Sequence, residues 1–119
     1  VLDYDHNAPT VEHLAQTHRP FYEAIRKRRP ELPIVLVSRP DFDPRAVESR
    51  ARREIIRSTF NDAVARGDRQ VFMVDGEFLF GQSDRDACTV DGCHPNDLGF
   101  LRMADAITPA VQTALQLVR

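Results

Sequence analysis

Apolar residues along this chain follow two alternating patterns, short continuous runs and longer stretches with helical spacing. The runs are "VLDY" (1–4), "PIVLVS" (33–38) and "QVFMVD" (70–75), and the second of them is rich in β-branched residues. Such runs are typical of strands that are buried on both faces of a sheet. After each run, apolar residues recur every three or four positions, which predicts a helix. The predicted order is therefore strand and then helix, three times over.

Three helices are predicted, and each has a residue at its start that can cap exposed backbone N–H groups. The first helix covers residues 11–29, and a proline stops it. The third contains Pro109, which predicts a kink or a split. The start and stop residues are Thr10 and Pro30 for the first helix, Asp43, Pro44 and Gly67 for the second, and Asn96 for the third. The apolar stripes are Val11, Leu14, His18, Phe21 and Ile25, then Ile55, Ile56, Phe60 and Val64, then Phe100, Ala104, Ile107 and Val111.

Strands that alternate with helices predict right-handed crossovers and a parallel sheet covered by helices. The predicted fold class is α/β, in a single domain over residues 1–119. In an open parallel sheet, ligands bind outside the carboxyl ends of the strands. The segments at those ends are "DYDHN", "SRPDF" and the long loop of residues 76–93, which leads into "DGCHP". Asn7 and His94 are thus expected to face the same crevice.

Several residues in this pattern keep two interpretations each. Arg39 follows the second strand and would either contact a substrate or form a surface salt bridge. Phe78, Leu79 and Phe80 would either line an acyl or sugar pocket or pin the long loop to the core. His18 lies on an apolar stripe, where a histidine is more often a half-buried packing residue than a ligand.

Composition is that of an ordinary globular protein and excludes some partners. The 119 residues are 42% hydrophobic and 29% charged, with a net charge of -2 and a mean hydropathy of -0.40. This charge offers no electrostatic basis for binding nucleic acid. No apolar run approaches the roughly 18 residues that cross a bilayer, so we expect a soluble protein with no transmembrane segment. The basic clusters are interpreted as solvated helix faces, Arg26, Lys27, Arg28 and Arg29 in the first helix and Arg50, Arg52 and Arg53 in the second.

The cysteines and histidines show no metal-binding pattern. Cys88 and Cys93 lack the paired spacing of a zinc site. They would be bridged if the protein is exported, or reduced if it stays inside a cell, and both alternatives stay open. His6, His13 and His18 are seven and five residues apart, which does not place them on one helix face. No metal site is expected.

Asp91 and His94, in "DGCHP", have the chemistry of an acid–base pair. A neutral imidazole acts as a general base when a carboxylate accepts from its Nδ1–H, because the carboxylate holds the tautomer and stabilises the imidazolium. A spacing of three residues through Gly92 lets the chain fold back so that the two side chains meet. The alternative is that Asp91 is an ordinary loop carboxylate and that the histidine only precedes a helix capped by Asn96.

Three stretches of the chain resemble a known family. "DGCHPNDLGF" followed by "RMADAI" resembles the last conserved block of the SGNH (GDSL-like) hydrolases, above all their bacterial esterase branch. "VLDYDHNAPT" is similar to the block in which an asparagine follows a strand, and "LPIVLVSRPDF" to the strand and loop between these blocks. The resemblance implies the flavodoxin-like SGNH fold, a three-layer α/β/α arrangement around a parallel sheet, present here as a partial βαβαβα unit.

The resemblance also implies the mechanism of a serine esterase or acylhydrolase. His94 would be the general base that activates a serine, Asp91 would orient it, and Asn7 would donate its side-chain amide to the oxyanion. Neither a metal nor an organic cofactor is implied. The substrate would be a small ester, either an acylated carbohydrate or a lipid-like ester. The cellular compartment stays open, and export is compatible with this sequence.

The chain departs from the family at the nucleophile. The family's G-D-S block and a glycine block lie upstream of the asparagine block, and neither is found here. None of the serines lies in G-D-S or G-x-S-x-G, and at Ser38, the nearest to a strand end, "SRP" is more typical of a terminating turn. We therefore expect residues 1–119 to be the C-terminal portion of an SGNH domain, inactive without the missing N-terminal segment. An exposed sheet edge would favour self-association or pairing with that segment.

Three functions follow from these observations. The first is an ester hydrolase that the nucleophile segment completes. The second is a non-catalytic α/β module for binding or assembly, derived from the same fold. The third, a nucleotide- or phosphate-binding domain, is disfavoured because no glycine-rich loop follows a strand and Lys27, the single lysine, lies in a helix.

Overall fold

The computed structural model describes residues 1–40 and 45–117, and its elements follow the predicted order. The helices are α1 (Val11–Arg28), α2 (Ala46–Ala65) and α3 (Asp97–Gln116), and the strands are β1 (Ile34–Val37) and β2 (Val71–Val74). Short 3-10 turns cover Asp5–Asn7, Gly76–Phe78 and Arg85–Cys88. The predicted start of the second helix at Asp43 and Pro44 lies outside the described residues. Within the described ranges, no helix is long and apolar enough to cross a membrane.

β1 and β2 run parallel and pair along all four residues of each strand. The predicted first strand, residues 1–4, contacts the described part of this sheet through a single bridge at Leu2. The N–H of Leu2 donates to the Val35 carbonyl oxygen over 2.7 Å, and its carbonyl oxygen accepts from the N–H of Val37 over 3.1 Å. The pairing is shorter than predicted because Tyr4 has helical backbone angles and leads into a 3-10 turn. β1 therefore lies between Leu2 and β2.

Alternate residues of the strands pack on opposite faces of the sheet, and helices cover both faces. On one face, α1 and α2 pack against Ile34 and Leu36 of β1 and Val71 of β2. On the other face, α3 packs against Val35 and Val37. Burying an aliphatic side chain of this size stabilises the fold by about 1.5–3 kcal/mol, so both faces contribute to the core. The predicted α/β class and three-layer order are confirmed.

α3 differs from its prediction in two ways. The helix is continuous through Pro109, which does not split it. Two residues of the predicted apolar stripe are exposed, Phe100 at 61% and Ala104. Gly99 packs so closely on the Cys88 carbonyl oxygen that a Cβ atom there would lie 2.2 Å from it. Because consecutive helix residues are about 100° apart, this contact turns Phe100 away from the core. The residues of α3 that cover the sheet are Met103, Ala106, Ile107, Ala110, Val111 and Ala114.

The first basic cluster is only partly a solvated face. Lys27, Arg28 and Arg29 are exposed, as predicted. Arg26 is different, because its Nε donates to Asp68 over 2.8 Å and its Nη1 donates within 3.2 Å to three backbone carbonyl oxygens beyond the end of α1. The prediction is wrong for Arg26, since the chain that leaves a helix presents carbonyl groups that a guanidinium can satisfy.

His18 lies in the interface between α1 and α2. It is fully buried, more so than predicted, and its Nδ1 lies 3.0 Å from Oγ1 of Thr59 in α2. Burial lowers the pKa of His18, and the charge of Asp5 partly offsets this effect. His18 is therefore a packing residue whose neutral form is favoured.

We expect His18 to make the protein less stable at mildly acidic pH. Above the ordinary histidine pKa of 6.5, the side chain is neutral in the folded and unfolded states alike. Below that pH, the unfolded chain binds a proton that the folded chain excludes, so the free energy of unfolding falls as the pH drops. Replacing His18 by glutamine should flatten this slope by up to about 1.4 kcal/mol per pH unit. Urea unfolding at several values between about pH 5 and pH 7 measures the slope.

The matched control for this experiment is glutamine at His13, an exposed histidine on the same helix. The pKa of His6 is also lowered, so His6 contributes to the acid slope of both variants equally. A slope that His18→Gln leaves unchanged would mean that the folded protein accommodates the proton on His18.

Candidate active site

The segment "DGCHP" forms a tight turn around the carboxylate of Asp91. Oδ1 of Asp91 accepts hydrogen bonds from the backbone N–H groups of Cys93, over 2.9 Å, and His94, over 2.8 Å. Gly92 has a φ of +80°, a left-handed conformation that glycine adopts at little cost. Its own N–H donates to Oγ1 of Thr89 over 3.0 Å. The turn folds the chain back, as the three-residue spacing predicts.

Asp91 and His94 also meet through their side chains. Oδ2 of Asp91 lies 2.7 Å from Nδ1 of His94, a contact that suits Nδ1–H donating to the carboxylate. The backbone N–H of His94, followed by its ring, lowers the pKa of Asp91 to about 2. The carboxylate is therefore ionised at neutral pH. The His94 side chain is 73% exposed, and Nε2 is the ring nitrogen that this contact leaves for proton transfer.

The same turn is also the entrance to α3. Oδ1 of Asn96 accepts from the N–H of Gly99 over 3.0 Å, which caps the helix as predicted. Nδ2 of Asn96 donates to the Ala87 carbonyl oxygen over 2.8 Å, and the backbone N–H of Asn96 donates to the Cys88 carbonyl oxygen over 3.0 Å. These bonds tie the turn to the helix and fix the position of the Asp91–His94 pair.

Asn7 belongs to a short turn that a buried ion pair holds in place. Asp5, in the same turn, is 0% exposed, and Arg52 of α2 is 3% exposed. Nη1 of Arg52 donates to the carbonyl oxygens of Asp5, over 2.8 Å, and Ala8, over 3.1 Å, and lies 3.4 Å from Oδ1 of Asp5. The N–H of Arg39 donates to Oδ2 of Asp5 over 2.8 Å. The turn is thus held from α2 and from the end of β1, while Asn7 is exposed.

The prediction of a solvated face is wrong for Arg52 and Arg53, which are both buried. A sequence signal existed, because both arginines lie three or four residues before Ile56 and so extend the stripe that continues to Phe60. Buried charges are tolerated when they are paired. Acidic residues beyond the strands supply the partners, and Nη1 of Arg53 lies 3.5 Å from Asp75 at the end of β2.

Arg39 is buried in the same network of ion pairs. Its Nη2 donates to Oγ of Ser49 over 3.2 Å, and its Nη1 lies 3.4 Å from Oε1 of Glu48. The same oxygen of Glu48 accepts from Nε of Arg52 over 2.9 Å. Of the two interpretations of Arg39, the ion pair is correct, but the guanidinium lies in the interior and not at the surface. Arg39 therefore joins the end of β1 to α2.

Ser38 links the ends of the two strands. It is fully buried, and its Oγ accepts from the N–H of Gly76 over 2.7 Å. The two segments approach so closely that a Cβ atom at Gly76 would lie 1.8 Å from the Arg39 carbonyl oxygen. Ser38 thus has the strand-terminating role that "SRP" predicts.

The aromatic stretch of the long loop pins that loop to the core. Leu79 is buried in the cluster under α3, and Phe80 is buried against Cys88 and Met103. Phe78 is exposed. The pinning interpretation is therefore correct for Leu79 and Phe80.

The turn that contains Asn7 and the turn that contains His94 meet, as the parallel sheet predicts. Nε2 of His6 lies 3.0 Å from Sγ of Cys93, a contact between residues 87 positions apart. Burial, with the charge of Arg39 as the second cause, lowers the pKa of His6 and favours its neutral form. Asn7 and His94 are the sequence neighbours of the two residues in this contact. The structure thus brings the two candidate segments together at one edge of the sheet.

Both cysteines are free, so the bridge that the sequence left open is not formed. Cys88 is buried, and Cys93 is half-buried. Within residues 1–40 and 45–117, no group of three or more His, Cys, Asp or Glu side chains is placed to hold a metal ion.

A cavity of about 630 Å³ lies away from these turns, between the ends of α1 and α2 and the start of β2. Its walls carry paired charges, among them Arg26 with Asp68 and Arg66 with Glu23. Ligands of parallel sheets bind at the opposite, carboxyl ends of the strands. The edge with the Asp91–His94 pair is therefore the better candidate for the active site.

Fold and site together define a three-layer α/β protein with an Asp–His pair at the carboxyl edge of its parallel sheet. Residues 1–112 match the GDSL-like lipase/acylhydrolase family, and the chain belongs to that family. The resemblance to this family is thereby confirmed.

The solved structures that share this fold include the following two. A protein described as a GDSL-like lipase from Bacteroides ovatus ATCC 8483 has a TM-score of 0.76 at 24% sequence identity, over 91% of this chain and 33% of its own. SsfX3, a salicylyl-acyltransferase from a tetracycline biosynthetic pathway, has a TM-score of 0.67 at 21% identity, over 92% of this chain and 34% of its own. The chain thus spans about a third of the length of these proteins. No curated protein matches it significantly.

Proposed function

We propose that this chain carries the histidine and the aspartate of a serine ester hydrolase, which transfers an acyl group to a serine and then to water. The observation that supports this most strongly is the 2.7 Å contact between Oδ2 of Asp91 and Nδ1 of His94. An imidazole held in this way accepts the serine proton at Nε2 and returns it to the leaving alcohol. Asp91, ionised because its pKa is about 2, orients the ring and stabilises the imidazolium.

Asn7 is the proposed side-chain donor to the oxyanion. Its amide N–H groups can donate to the negative charge that develops on the carbonyl oxygen, and one such donor is worth about 3–4 kcal/mol when it is preorganised. Preorganisation is supported by the hydrogen bonds of Arg52 and Arg39 to the turn around Asp5. The contact of His6 with Cys93 supports a position of Asn7 near His94.

The nucleophilic serine is proposed to belong to a segment of the domain outside residues 1–119. Ser38 and Ser49 are buried in structural hydrogen bonds, and Ser58 lies 3.4 Å from an arginine on the surface of the helix pair. Ser83 lies in the long loop, outside any G-D-S motif. We therefore propose that this chain is the C-terminal portion of an SGNH domain, whose missing strands pair with the open edge beside Leu2.

We propose a small acyl ester of a carbohydrate as the substrate, on the basis of the resemblance to the bacterial esterase branch. Acyl transfer to an alcohol instead of water is the second candidate, because SsfX3 shares the fold and is an acyltransferase. Both reactions use one acyl-serine and the same base. The acceptor that enters the site distinguishes them.

The proposed function is tested by comparing the 119-residue chain with the protein extended upstream through a G-D-S motif. We expect the extended protein to hydrolyse p-nitrophenyl acetate and the 119-residue chain not to hydrolyse it. Release of p-nitrophenolate measures the reaction. A fluorophosphonate probe, which reacts with activated serines, should label one serine upstream of Val1, identified by mass spectrometry. Adding a simple alcohol to the assay detects transfer, because a new acetyl ester then forms.

Three outcomes would contradict this proposal. A label on Ser38 would mean that the nucleophile lies within this chain. An extended protein that neither turns over the ester nor accepts the probe, or an upstream sequence without G-D-S, would favour a non-catalytic module for binding or assembly.

A further inference from the structure

A cysteine–histidine pair lies beside the Asp91–His94 pair and has no part in the proposed mechanism. Sγ of Cys93 is 3.0 Å from Nε2 of His6, and the cysteine is half-buried, so a small reagent can reach its sulfur. We propose that Cys93 is a reactive thiol, activated by His6, and that a small electrophile attached to it closes the neighbouring active site. The second part of this inference rests on the proposed function.

The surroundings of His6 keep its ring in the neutral form, and the 3.0 Å contact places Nε2 beside the sulfur of Cys93. Burial and the charge of Arg39 lower its pKa, so the ring is neutral at pH 7 and Nε2 can accept a proton. Asp5 acts in the opposite direction, while His94 and Arg52 also disfavour the charged ring. A lowered pKa argues against a resting thiolate–imidazolium pair. The proton therefore moves to His6 as the sulfur attacks.

Modification of Cys93 would reach the active site because this residue belongs to the turn that forms it. Its N–H donates to Oδ1 of Asp91 over 2.9 Å, and its carbonyl group is joined to His94. Its sulfur is also in direct contact with the turn that holds Asn7, through His6. A group attached to the sulfur would occupy the space between the two turns and separate Asn7 from His94.

Cys88 provides an internal control within the same chain. It is fully buried, packed against Phe80 and Met103 beneath α3. A thiol in this position is inaccessible to small reagents while the protein is folded. The two cysteines should therefore differ in reactivity in the native protein and become equivalent once it is unfolded.

Iodoacetamide is a suitable probe because its reaction with a thiol is simple. The sulfur of Cys93 attacks the methylene carbon, an S–C bond forms as the C–I bond breaks, and iodide leaves. The thiol proton passes to Nε2 of His6 and then to solvent. The product is a carbamidomethyl group on Cys93, which mass spectrometry locates.

The experiment uses the protein extended upstream through G-D-S, and it follows alkylation of each cysteine by mass spectrometry. We expect native Cys93 to react about tenfold faster than the same residue in urea, and His6→Gln to remove this advantage. Cys88 should react only in urea. His13→Gln, at an exposed histidine of α1, is the matched control and should leave the rate unchanged.

Ester hydrolysis is measured in the same samples, and we expect it to be lost in proportion to alkylation of Cys93. Cys93→Ser keeps a hydroxyl for His6, and its activity, whatever its starting value, should not decline with iodoacetamide. If Cys93 of the native protein is alkylated no faster than Cys93 of the protein in urea, His6 does not activate it. This comparison needs no variant. Full alkylation without loss of hydrolysis would overturn the closure of the site. A protein that is alkylated as expected but never hydrolyses an ester would support the reactive thiol and contradict the proposed function.

Discussion

Alanine in place of His94 is expected to lower kcat of the extended protein for p-nitrophenyl acetate by about 10³- to 10⁴-fold. The serine would then lack the base that removes its proton, and the carboxylate of Asp91 would have no imidazolium to stabilise. Initial rates of p-nitrophenolate release measure the loss. A fluorophosphonate probe should also fail to label the variant at a comparable rate, because labelling depends on the same activation of the serine.

The loss should be specific to catalysis. His94 and Asp91 are both exposed, and exposed ion pairs contribute little to stability, so the free energy of unfolding should change little. His13→Ala is the matched control, because His13 is an exposed histidine far from this turn in the sequence. A kcat for His94→Ala within about tenfold of the unmodified protein would remove His94 from the role of base. "DGCHP" would then be only the entrance to α3.

Methionine in place of Arg52 is expected to destabilise the protein by about 3–5 kcal/mol, because it breaks a buried ion pair. Asp5 would remain buried with its charge, and the carbonyl oxygens of Asp5 and Ala8 would lose the guanidinium that now donates to them. Urea unfolding followed by circular dichroism measures the change. Because the same bonds hold the turn of Asn7, hydrolysis by the extended protein should fall as well.

Two further variants identify the cause of this loss. Arg50→Met removes an exposed arginine two residues earlier on α2, whose Nε donates to the Ala46 carbonyl oxygen of the same helix, and should cost less than about 1 kcal/mol. Adding Asp5→Asn to Arg52→Met should recover part of the stability, because the buried charge is then gone. If Arg52→Met costs no more than Arg50→Met, the buried pair does not hold the turn.

Local patterns were sufficient to predict most of the secondary structure. The caps at Thr10 and Asn96 are hydrogen-bonded as expected, because a side-chain oxygen one residue before a helix satisfies a nearby N–H whatever surrounds it. The continuous apolar run at residues 33–38 became the central strand, since a strand covered on both faces has no polar side. The Asp91–His94 contact also follows locally, from Gly92 and a three-residue spacing.

For several residues the predicted burial is wrong, because long-range packing decides it. The charges of Arg52 and Arg53 predict exposure to solvent, but acidic partners from distant strand ends make their burial possible. The apolar side chain of Phe100 predicts a place in the core, but the close contact of Gly99 with Cys88 sets the rotation of α3 about its axis. In both cases the partner lies on another element, so the helical periodicity of the sequence cannot predict the contact.

The order of strands and helices, the α/β class and the resemblance to the GDSL-like family were all present in the amino-acid sequence, because periodicity, capping and motif spacing are local properties. The contact of His6 with Cys93 and the buried network of Asp5, Arg39 and Arg52 were not, because they join residues from turns and helices far apart in the chain. The local sequence was sufficient to identify His94 as the candidate base and Asp91 as its partner. The contacts around this pair depend on tertiary structure. The network that holds the turn of Asn7 and the contact of His6 with Cys93 form because the crossover connections bring the strand ends together.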